Sequence, residues 1–363
     1  MRLPITGTSF FDARQPQVGS RAVLAADRSA WYFFSAFAEK NLFVSLGYGI
    51  MPMSRLRHLV KTLEAHPSYS LMRTVARFGS VRQTVALGRH LAQAGRLRAY
   101  IEACEARRGE RLFPNIDPIA FAEDLKNNGV TFGLRLPDGL TEAIREFAES
   151  QPCYADREPA KGFMLARKEA IEQILGKPLL LAQYFNTTKD CTAIAQLVAD
   201  PALREIAARY LRSVPTFVGA NLWWTFPVKA RAEDRDRHAH LFHRDVDDFR
   251  FFKFFFYLTD VEKNDGAHMC VATSHRHPPF IKLKDRWLIR RYQDREVEAF
   301  YPKERILEIT GKAGDGFAED TTCMHKARTP ERAPRLCLSL TFALFDYGTM
   351  HDRRDPAALK MAA

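Results

Sequence analysis

The chain has 363 residues, of which 46% are hydrophobic and 27% charged, a composition typical of globular proteins. Its 27 Phe, 11 Tyr and 4 Trp can fill a large core, which excludes a disordered or collagen-like chain. The six scattered cysteines form no CxxC pair, no secretory leader is recognisable, and no apolar run reaches about 18 residues, so we expect a cytoplasmic protein with reduced thiols.

Positive charge is concentrated in the first third of the chain. Residues 1–112 hold 17 Lys or Arg and 7 Asp or Glu. This region therefore accounts for nearly all of the formal net charge of +11 that the whole chain carries. The break in charge predicts a basic, mostly helical N-terminal region over 1–112, a main domain over 113–347 and a polar C-terminal tail over 348–363. Such an asymmetry indicates an anionic partner. Nucleic acid is not expected, because no helix-turn-helix, zinc-finger or RNA-binding signature accompanies the charge.

Two helices are predicted in the basic region, over 54–64 and 71–108. In the second helix, Arg82, Arg89 and Arg96 recur every seven residues and therefore share one side. The candidates for the apolar side are Val75, Phe78, Val85, Leu91 and Ile101. Such a helix can make peripheral contact with an anionic membrane surface, bind an anionic substrate, or pack on the main domain with a solvated basic face.

The main domain begins with helices and ends with strands. Helices are predicted over 119–127, 141–150 and 201–212, and strands over 130–136 and 178–185. From residue 217 the pattern is all-β, with strands predicted over 218–226, 250–259, 268–272, 305–309 and 335–345. Helices followed by many short strands indicate an α+β protein, mainly β with helical support, whose strands form a sandwich or barrel.

The segment 238–248, HAHLFHRDVDD, contains the one His-x-Asp of the chain, formed by His243 and Asp245. Alternate residues of a strand point the same way, so this imidazole and carboxylate can serve as two adjacent ligands of a metal ion. His325, from a distant strand, would complete a triad of two histidines and one carboxylate, which suits non-haem Fe(II) oxygenases because it leaves coordination positions open. The alternatives are a surface turn for the first pair and a packed core histidine for His325.

A candidate anion-binding residue, Arg335, follows on the last strand. It opens an alternating strand in which Arg335, Cys337, Ser339 and Thr341 share one face and leucines occupy the other. A guanidinium held on a strand can bind a carboxylate through two parallel hydrogen bonds, although an ordinary ion pair at a sheet edge is the alternative. The competing arginine, Arg332, lies in a proline-bounded turn.

With these residues in place, the chain resembles the phytanoyl-CoA dioxygenase family of Fe(II)/2-oxoglutarate oxygenases. The matching pieces are FHRD with its following strand, NDGAHMCVATSHR, GDGFAEDTTCMH and PRLCLSLTF, in that order. The stretch FAEDLKNNGVTFGLRLPDGLTEAIREFAE is similar to the opening helix-strand-helix of the family. The resemblance covers roughly residues 114–347 and implies a double-stranded β-helix, the jelly-roll or cupin-like fold, with iron between its two sheets.

The resemblance also implies roles for individual residues. His243, Asp245 and His325 would be the metal ligands, and Arg335 would bind the distal carboxylate of 2-oxoglutarate. Further contacts with this cosubstrate, or walls of its pocket, are expected from Gln183, Trp224, Lys253, Phe255 and Ser339.

Lys253 stands out because it interrupts seven aromatic residues in the segment 249–257. A buried ammonium is costly unless it is paired or solvated, so this residue either contacts an anionic ligand or lies at a sheet edge with its amine in water. His238 and His240 precede the His-x-Asp strand and are expected to be exposed.

The implied activity is that of an Fe(II)/2-oxoglutarate-dependent dioxygenase. Such an enzyme uses O2 to hydroxylate a C–H bond of a small molecule and releases succinate and CO2. The segment 276–305, rich in Arg and Lys, is long enough to cover the site and favours an anionic or lipid-like substrate. Two other functions stay open: a jelly-roll binding protein without turnover, and a membrane-surface protein directed by the N-terminal helices.

Overall fold

The computed structural model describes residues 66–229, 231–276, 290–349 and 352–363. The helix predicted over 54–64, and residues 277–289 of the segment predicted to cover the site, lie outside these ranges. The described residues from 66 onward belong to one compact unit. Residues 66–112 belong to this unit together with the main domain, and the predicted domain boundaries stay a prediction.

Several helices start and stop at the residues that the sequence favours for caps. The helices are α1 Pro67–Val75, α2 Gly79–Ala106, α3 Pro118–Asn128, α4 Asp138–Ser150, α5 Lys168–Leu175, α6 Thr187–Asp190, α7 Thr192–Ala199, α8 Pro201–Leu211, α9 Ala232–Arg237 and α10 Asp294–Phe300. Asp117 and Asp200 cap α3 and α8, each of which begins with proline. Gly129 ends α3 at a φ of 76°, a conformation that glycine adopts without strain.

The basic helices pack differently from the prediction. The helix predicted over 71–108 is broken near Phe78, so that α1 and α2 are separate. Leu91, placed on the apolar side, is 68% exposed. The buried residues of α2 are Ala86, Leu97 and Cys104. On the same side Gln93 accepts hydrogen bonds from the segment after α8, and Arg89 lies 4.8 Å from the ring centre of Phe345. The face of α2 that packs on the rest of the protein carries mostly small and polar residues. The apolar pattern of the sequence therefore predicted the wrong face as the packed one.

The strands form two antiparallel sheets. The strands are β1 Val130–Arg135, β2 Cys153–Ala155, β3 Gly162–Phe163, β4 Leu181–Tyr184, β5 Thr216–Thr225, β6 Phe251–Tyr257, β7 His268–Val271, β8 Ile306–Ile309, β9 Asp315–Glu319, β10 Met324–Ala327 and β11 Arg335–Ala343. The large sheet has the order β1-β9-β6-β11-β5-β4-β2-β3, and the small sheet the order β10-β7-β8. The predicted α+β class with a large antiparallel sheet is confirmed, and two such sheets are consistent with a jelly roll.

Alternation along the strands of the large sheet separates two cores. The face toward the helices carries Leu336, Leu338, Leu340, Phe252, Phe254 and Phe256. The opposite face packs on the small sheet through Tyr257, Phe317, Cys337, Cys270 and Ile309. Burying a large apolar side chain contributes about 1.5–3 kcal/mol, so the first core, which holds the most apolar side chains, fixes the register of β6 and β11. The opposite face of the large sheet can therefore carry polar residues without loss of this register.

The C-terminal residues pack on the edge of the large sheet. Met361 forms a parallel bridge with Gly162, whose N–H donates to the Lys360 carbonyl at 2.9 Å. The part of the predicted polar tail that is described is therefore ordered against β3. Within the described ranges, no helix is long and apolar enough to cross a membrane.

Candidate metal centre

Backbone pairing brings the His-x-Asp segment and the distant histidine together. His243 and His325 lie opposite one another in an antiparallel bridge, in which the N–H of each donates to the carbonyl of the other at 2.9 Å. Two residues later, the Asp245 N–H donates to the Thr321 carbonyl at 2.8 Å. Directly paired residues direct their side chains to the same face, so the three side chains converge between the sheets.

The donor atoms of these side chains fit one metal ion. The Asp245 carboxylate lies 3.6 Å from His243 Nε2 and 3.7 Å from His325 Nε2. The three ligand atoms all lie within 4.8 Å of one another. Imidazole and carboxylate ligands bind a transition metal at about 2.1 Å, so two ligands of one ion are separated by at most about 4.2 Å. Small side-chain adjustments therefore suffice for the three residues to hold an ion.

Both imidazole rings are held so that Nε2 is available as a ligand. Nδ1 of His243 lies 2.9 Å from the Leu241 carbonyl, and Nδ1 of His325 lies 3.0 Å from the Cys323 carbonyl. A carbonyl accepts hydrogen bonds and cannot donate them, so Nδ1 carries the proton in each neutral ring. The Nε2 lone pairs are left for a cation, an arrangement common among metal-binding histidines.

Electrostatics favour the protonation state that a divalent cation needs. Burial, together with the nearby His325, holds the pKa of His243 well below its ordinary value. Burial opposes ionisation of Asp245, but Lys253 and the two histidines outweigh it and hold the pKa of that carboxyl well below its ordinary value. At neutral pH the centre thus pairs an anionic carboxylate with the neutral imidazole of His243.

Lys253 on β6 is paired with this carboxylate. Its Nζ lies 2.7 Å from Asp245 Oδ2 and 3.5 Å from Asp247 Oδ2, and Asp247 also accepts a hydrogen bond from Tyr69 of α1 at 3.0 Å. Strand β6 lies between β9 and β11, so the alternative of an edge position is wrong. Burial lowers the pKa of Lys253, but the two carboxylates outweigh burial and raise it. The aromatic run therefore tolerates the ammonium because two carboxylates neutralise it.

Arg335 is a buried cation with 2% of its surface exposed. It lies on the face of β11 opposite to the leucines. Nη1 donates to the Gly266 carbonyl, and Nη2 donates to Thr225 Oγ1 at 3.4 Å. Nε has no hydrogen-bond partner among the described residues. The groups that it contacts are neutral, so this buried guanidinium fits an anionic ligand such as a carboxylate.

The three candidate ligands and Arg335 line one cavity of about 290 Å³ between the two sheets. The other predicted site residues that line it are Gln183, Lys253, Phe255 and Ser339. Gln183 Nε2 donates to Asn221 Oδ1 at 2.9 Å, and Phe255 stacks on Phe317 with ring centres 5.0 Å apart. The structure brings these residues together, and their roles as cosubstrate contacts stay predictions.

Trp224 does not line the cavity, contrary to the prediction. It is paired with Leu336 of β11 and faces the main core, where its Nε1 donates to the Tyr184 hydroxyl at 3.0 Å. Its neighbour Trp223 is paired with Cys337 and lines the cavity instead. An error of one residue reverses the face of a strand, because side chains alternate with a period of two.

His238 and His240 are buried, at 3% and 6% exposure, and both line the cavity, so their predicted exposure is wrong. His240 Nδ1 lies 2.8 Å from Thr329 Oγ1, and His238 Nε2 lies 3.1 Å from Asp156 Oδ1. His238 directly follows α9, and Ala239, between the two histidines, also lines the cavity.

A second group of potential ligands comprises Asp156, Asp234 and His238. The ammonium of Lys177 lies 3.0 Å from Asp156 Oδ2 and 2.5 Å from Asp234 Oδ1. This ammonium pairs with both carboxylates, and His238 also contacts Asp156, so the group is an ion-pair network of the fold.

Sequence reasoning missed a buried pair beside the centre. His268 Nε2 lies 2.6 Å from Glu319 Oε2, and the His268 ring stacks on His325 with centres 5.7 Å apart. Burial raises the pKa of Glu319 to about 7 and lowers that of His268 to about 3, so the pair holds one proton below neutral pH. The two residues are separated by 51 positions, and no spacing in the sequence connects them.

Three further arginines also line the cavity, namely Arg157, Arg291 and Arg354. They come from well-separated segments of the chain, so only the fold could place them together. Together with Lys253 they outnumber the two carboxylates of the described lining, Asp245 and Asp247.

No protein-family model matches the chain, and no curated protein matches its sequence. Among solved structures, EctD from S. alaskensis, with bound Fe, is 16% identical over 68% of this chain and 88% of that chain, with a TM-score of 0.42. HygX from Streptomyces hygroscopicus, with nickel, 2-oxoglutarate and hygromycin B bound, is 15% identical over 61% of this chain and 86% of that chain, with a TM-score of 0.41. The epimerase SnoN, in complex with Fe3+, alpha ketoglutarate and nogalamycin RO, is 15% identical over 62% of this chain and 84% of that chain, with a TM-score of 0.40. At such low identities and TM-scores, the chemistry of this chain has to be inferred from its own residues.

Proposed function

We propose that this chain is a non-haem Fe(II)/2-oxoglutarate-dependent dioxygenase, similar to the phytanoyl-CoA dioxygenase family, that hydroxylates a C–H bond of a small molecule. The observation that supports it is the placement of two imidazole Nε2 atoms, one carboxylate and a buried guanidinium in one cavity, the guanidinium having only neutral hydrogen-bond partners among the described residues. The first three groups are the ligand set of non-haem iron oxygenases, and the fourth matches a dicarboxylate cosubstrate.

In this proposal His243, Asp245 and His325 hold Fe(II). When bound, the ion supplies the oxidative chemistry, in which O2 and 2-oxoglutarate are consumed and succinate and CO2 are released with the hydroxylated product. The Nδ1–H bonds to backbone carbonyls fix both rings before the ion arrives, so little rotamer freedom is lost on binding. Lys253 holds one oxygen of Asp245 and thereby leaves the other oxygen to the ion.

Arg335 would bind the distal carboxylate of 2-oxoglutarate. Its donors Nη1 and Nη2 already contact Gly266 and Thr225, which fixes the plane of the guanidinium. Ser339 lies four positions after Arg335 on the same face of β11, and Phe255 is paired with Ser339 on the neighbouring strand β6. These two residues would form the wall beside the distal carboxylate. Such a preorganised cation loses little entropy on binding, and burial strengthens the interaction with an anion.

We further propose an anionic substrate. Arg157, Arg291 and Arg354 line the cavity in addition to Arg335, so the described lining holds more cationic than anionic side chains. A carboxylate or phosphate on the substrate would complement them and orient the reacting C–H bond.

The test is anaerobic titration of the purified protein with Fe(II) and 2-oxoglutarate. The expected result is a weak visible charge-transfer band in the parent, its loss in His243→Ala and in His325→Ala, and conversion of 2-oxoglutarate to succinate on exposure to O2. His240→Ala is the matched control, because it removes an imidazole from the same cavity that is not a proposed ligand. Folded His243→Ala and His325→Ala proteins that bind Fe(II) as the parent does would contradict the proposal.

One observation favours the alternative of a binding protein without turnover. The Lys253 ammonium, 2.7 Å from Asp245, supplies a positive charge where a metal ion would otherwise do so. A metal-free binding protein would bind 2-oxoglutarate or another anion equally well with and without Fe(II). The same titration, performed without metal, separates the two functions.

A further inference from the structure

A second cleft, of about 770 Å³, lies apart from the metal cavity. It is formed by the start of α2, the segment before β6, the turn after β7 and the residues that follow β9. None of the described residues that line it also lines the metal cavity. The two are nevertheless close in the chain, because Arg244 lines the cleft whereas its neighbours His243 and Asp245 line the cavity.

The described lining of this cleft is strongly cationic. It contains six arginines, namely Arg77, Arg82, Arg212, Arg244, Arg250 and Arg276, together with Lys126 and His275. Asp320 is the single acidic residue among them, and its carboxylate already accepts hydrogen bonds from the Tyr210 and Thr322 hydroxyls, each at 2.6 Å. The described lining therefore carries an excess of positive charge that its own carboxylate does not balance.

The hydrogen bonds of two of these arginines go to neutral groups. Arg276 Nη2 donates to the Lys126 carbonyl at 2.8 Å and to Asn127 Oδ1 at 3.0 Å. Arg212 Nη2 lies 3.2 Å from His90 Nε2. These contacts orient the guanidinium groups without neutralising them, as expected of residues that are positioned for an anion.

The start of α2 adds to the positive potential. Gly79 and Ser80, the first residues of this 28-residue helix, line the cleft. Within the part of the chain that the structure describes, no side chain caps this end, and the first turn contains no acidic residue. The helix dipole therefore adds to the charge of the arginines at the same place.

The shape of the cleft favours a small ligand. Its volume lies in the range of about 300–1,000 Å³ that small-molecule sites occupy, whereas a nucleic acid requires an extended surface. The rings of Phe78, which is 41% exposed, and Phe249 provide an apolar wall beside the cationic one. Arginine clusters recognise phosphate oxygens through paired hydrogen bonds, and several arginines match several phosphate charges.

We propose that this cleft binds a small molecule that carries two or more phosphate groups, such as a diphosphate. The site is independent of the metal centre and of the function proposed for it. The shared chemistry is the phosphate group, which a soluble diphosphate or a phosphorylated lipid headgroup could provide.

The experiment is calorimetric titration of the full chain with inorganic pyrophosphate, without added divalent metal, in buffer of low ionic strength. We expect saturable binding of one equivalent that weakens as the salt concentration is raised from about 50 to about 200 mM. Arg82→Gln and Arg250→Gln should each weaken it about ten-fold, since a hydrogen bond to a charged group contributes at least about one decade of affinity. Arg145→Gln, on the exposed surface of α4, is the control and should leave binding unchanged.

A second control distinguishes the cleft from the metal cavity. Arg291→Gln removes a cation from the cavity and should not affect pyrophosphate binding. Sedimentation with phosphatidylcholine vesicles that contain a phosphatidylinositol bisphosphate identifies a lipid headgroup as the source if it is lost in Arg82→Gln. Binding of pyrophosphate alone identifies a soluble ligand. Absence of binding to both probes, or loss of pyrophosphate binding in Arg291→Gln with retention in Arg82→Gln and Arg250→Gln, would overturn the proposal.

Discussion

Replacement of Arg335 by alanine should abolish tight binding of 2-oxoglutarate and leave Fe(II) binding intact. Arg335 is 2% exposed, its hydrogen bonds go to the Gly266 carbonyl and the Thr225 hydroxyl, and its Nε has no partner among the described residues. A carboxylate that enters the cavity would therefore be its counter-charge. In the alanine variant the distal carboxylate of 2-oxoglutarate would be desolvated without a partner.

The size of the effect follows from the burial of the pair. Truncating one partner of a buried, hydrogen-bonded charge pair costs about 2–5 kcal/mol. This corresponds to a loss of roughly 30-fold to several thousand-fold in affinity, since about 1.4 kcal/mol is a factor of ten. Arg335→Lys retains the charge but loses the planar pair of donors, so its affinity should be intermediate.

The assay is titration of 2-oxoglutarate into the anaerobic Fe(II) protein, followed by the charge-transfer band, with succinate release measured in parallel. Arg332→Ala is the control, because Arg332 is on the surface, 54% exposed, and pairs with Glu262 at 2.6 Å and Asp265 at 2.9 Å. A surface pair contributes about 0–1 kcal/mol to stability, and its loss should not change the affinity. Parental affinity in a folded Arg335→Ala protein, or a larger defect in Arg332→Ala, would refute the assignment.

Three further predictions concern the residues around the centre. Lys253→Met should lower the melting temperature of the metal-free protein, because it leaves Asp245 without its partner. The same variant should bind Fe(II) more tightly in a direct titration. An unchanged melting temperature together with an unchanged Fe(II) affinity would contradict the ion pair. Gly129→Ala should lower the free energy of unfolding by about 1–3 kcal/mol in a denaturant titration. Gly129 has a φ of +76°, and a Cβ at this position would overlap the Cys323 sulfur and the His275 ring. Gly139→Ala is the control and should leave the free energy of unfolding unchanged, because a Cβ there meets no atom within 4 Å. Burial opposes ionisation of Asp156, but hydrogen bonds from His238 and Lys177 outweigh burial and lower the pKa of Asp156 to about 2. The contribution of Asp156 to stability is therefore present above about pH 4 and is lost as the pH falls toward 2. Asp156→Asn should flatten the dependence of stability on pH in this range, and an unchanged dependence would count against the network.

The sequence predicted β6, β7, β8 and β11 close to their observed bounds, but it did not predict β9 or β10. Alternation in β11 placed Arg335, Cys337 and Ser339 on one face because leucines at every second position must reach the main core. The prediction that Trp224 lines the pocket was wrong, because β5 carries aromatic residues on both faces and its register with β11 cannot be derived from one strand alone.

Long-range ion pairs and polar packing could not be predicted from the sequence. Lys253 was recognised as unusual, but its partners Asp245 and Asp247 follow from the fold of the loop before β6. The packed face of α2 contains Gln93 and Arg89, so an apolar pattern placed that face on the wrong side. Short-range alternation is encoded locally, whereas these contacts depend on how distant segments meet.

The central claim is that His243, Asp245 and His325 form the iron site. It is tested most directly by a crystal structure of the full chain grown anaerobically with Fe(II) and 2-oxoglutarate, with diffraction data collected at the iron absorption edge. The account predicts one anomalous peak bonded to Nε2 of both histidines and to an oxygen of Asp245, with the 2-oxoglutarate distal carboxylate on Arg335. A peak at Asp156, Asp234 and His238, the other described group able to hold a metal, or no peak in the cavity would contradict it.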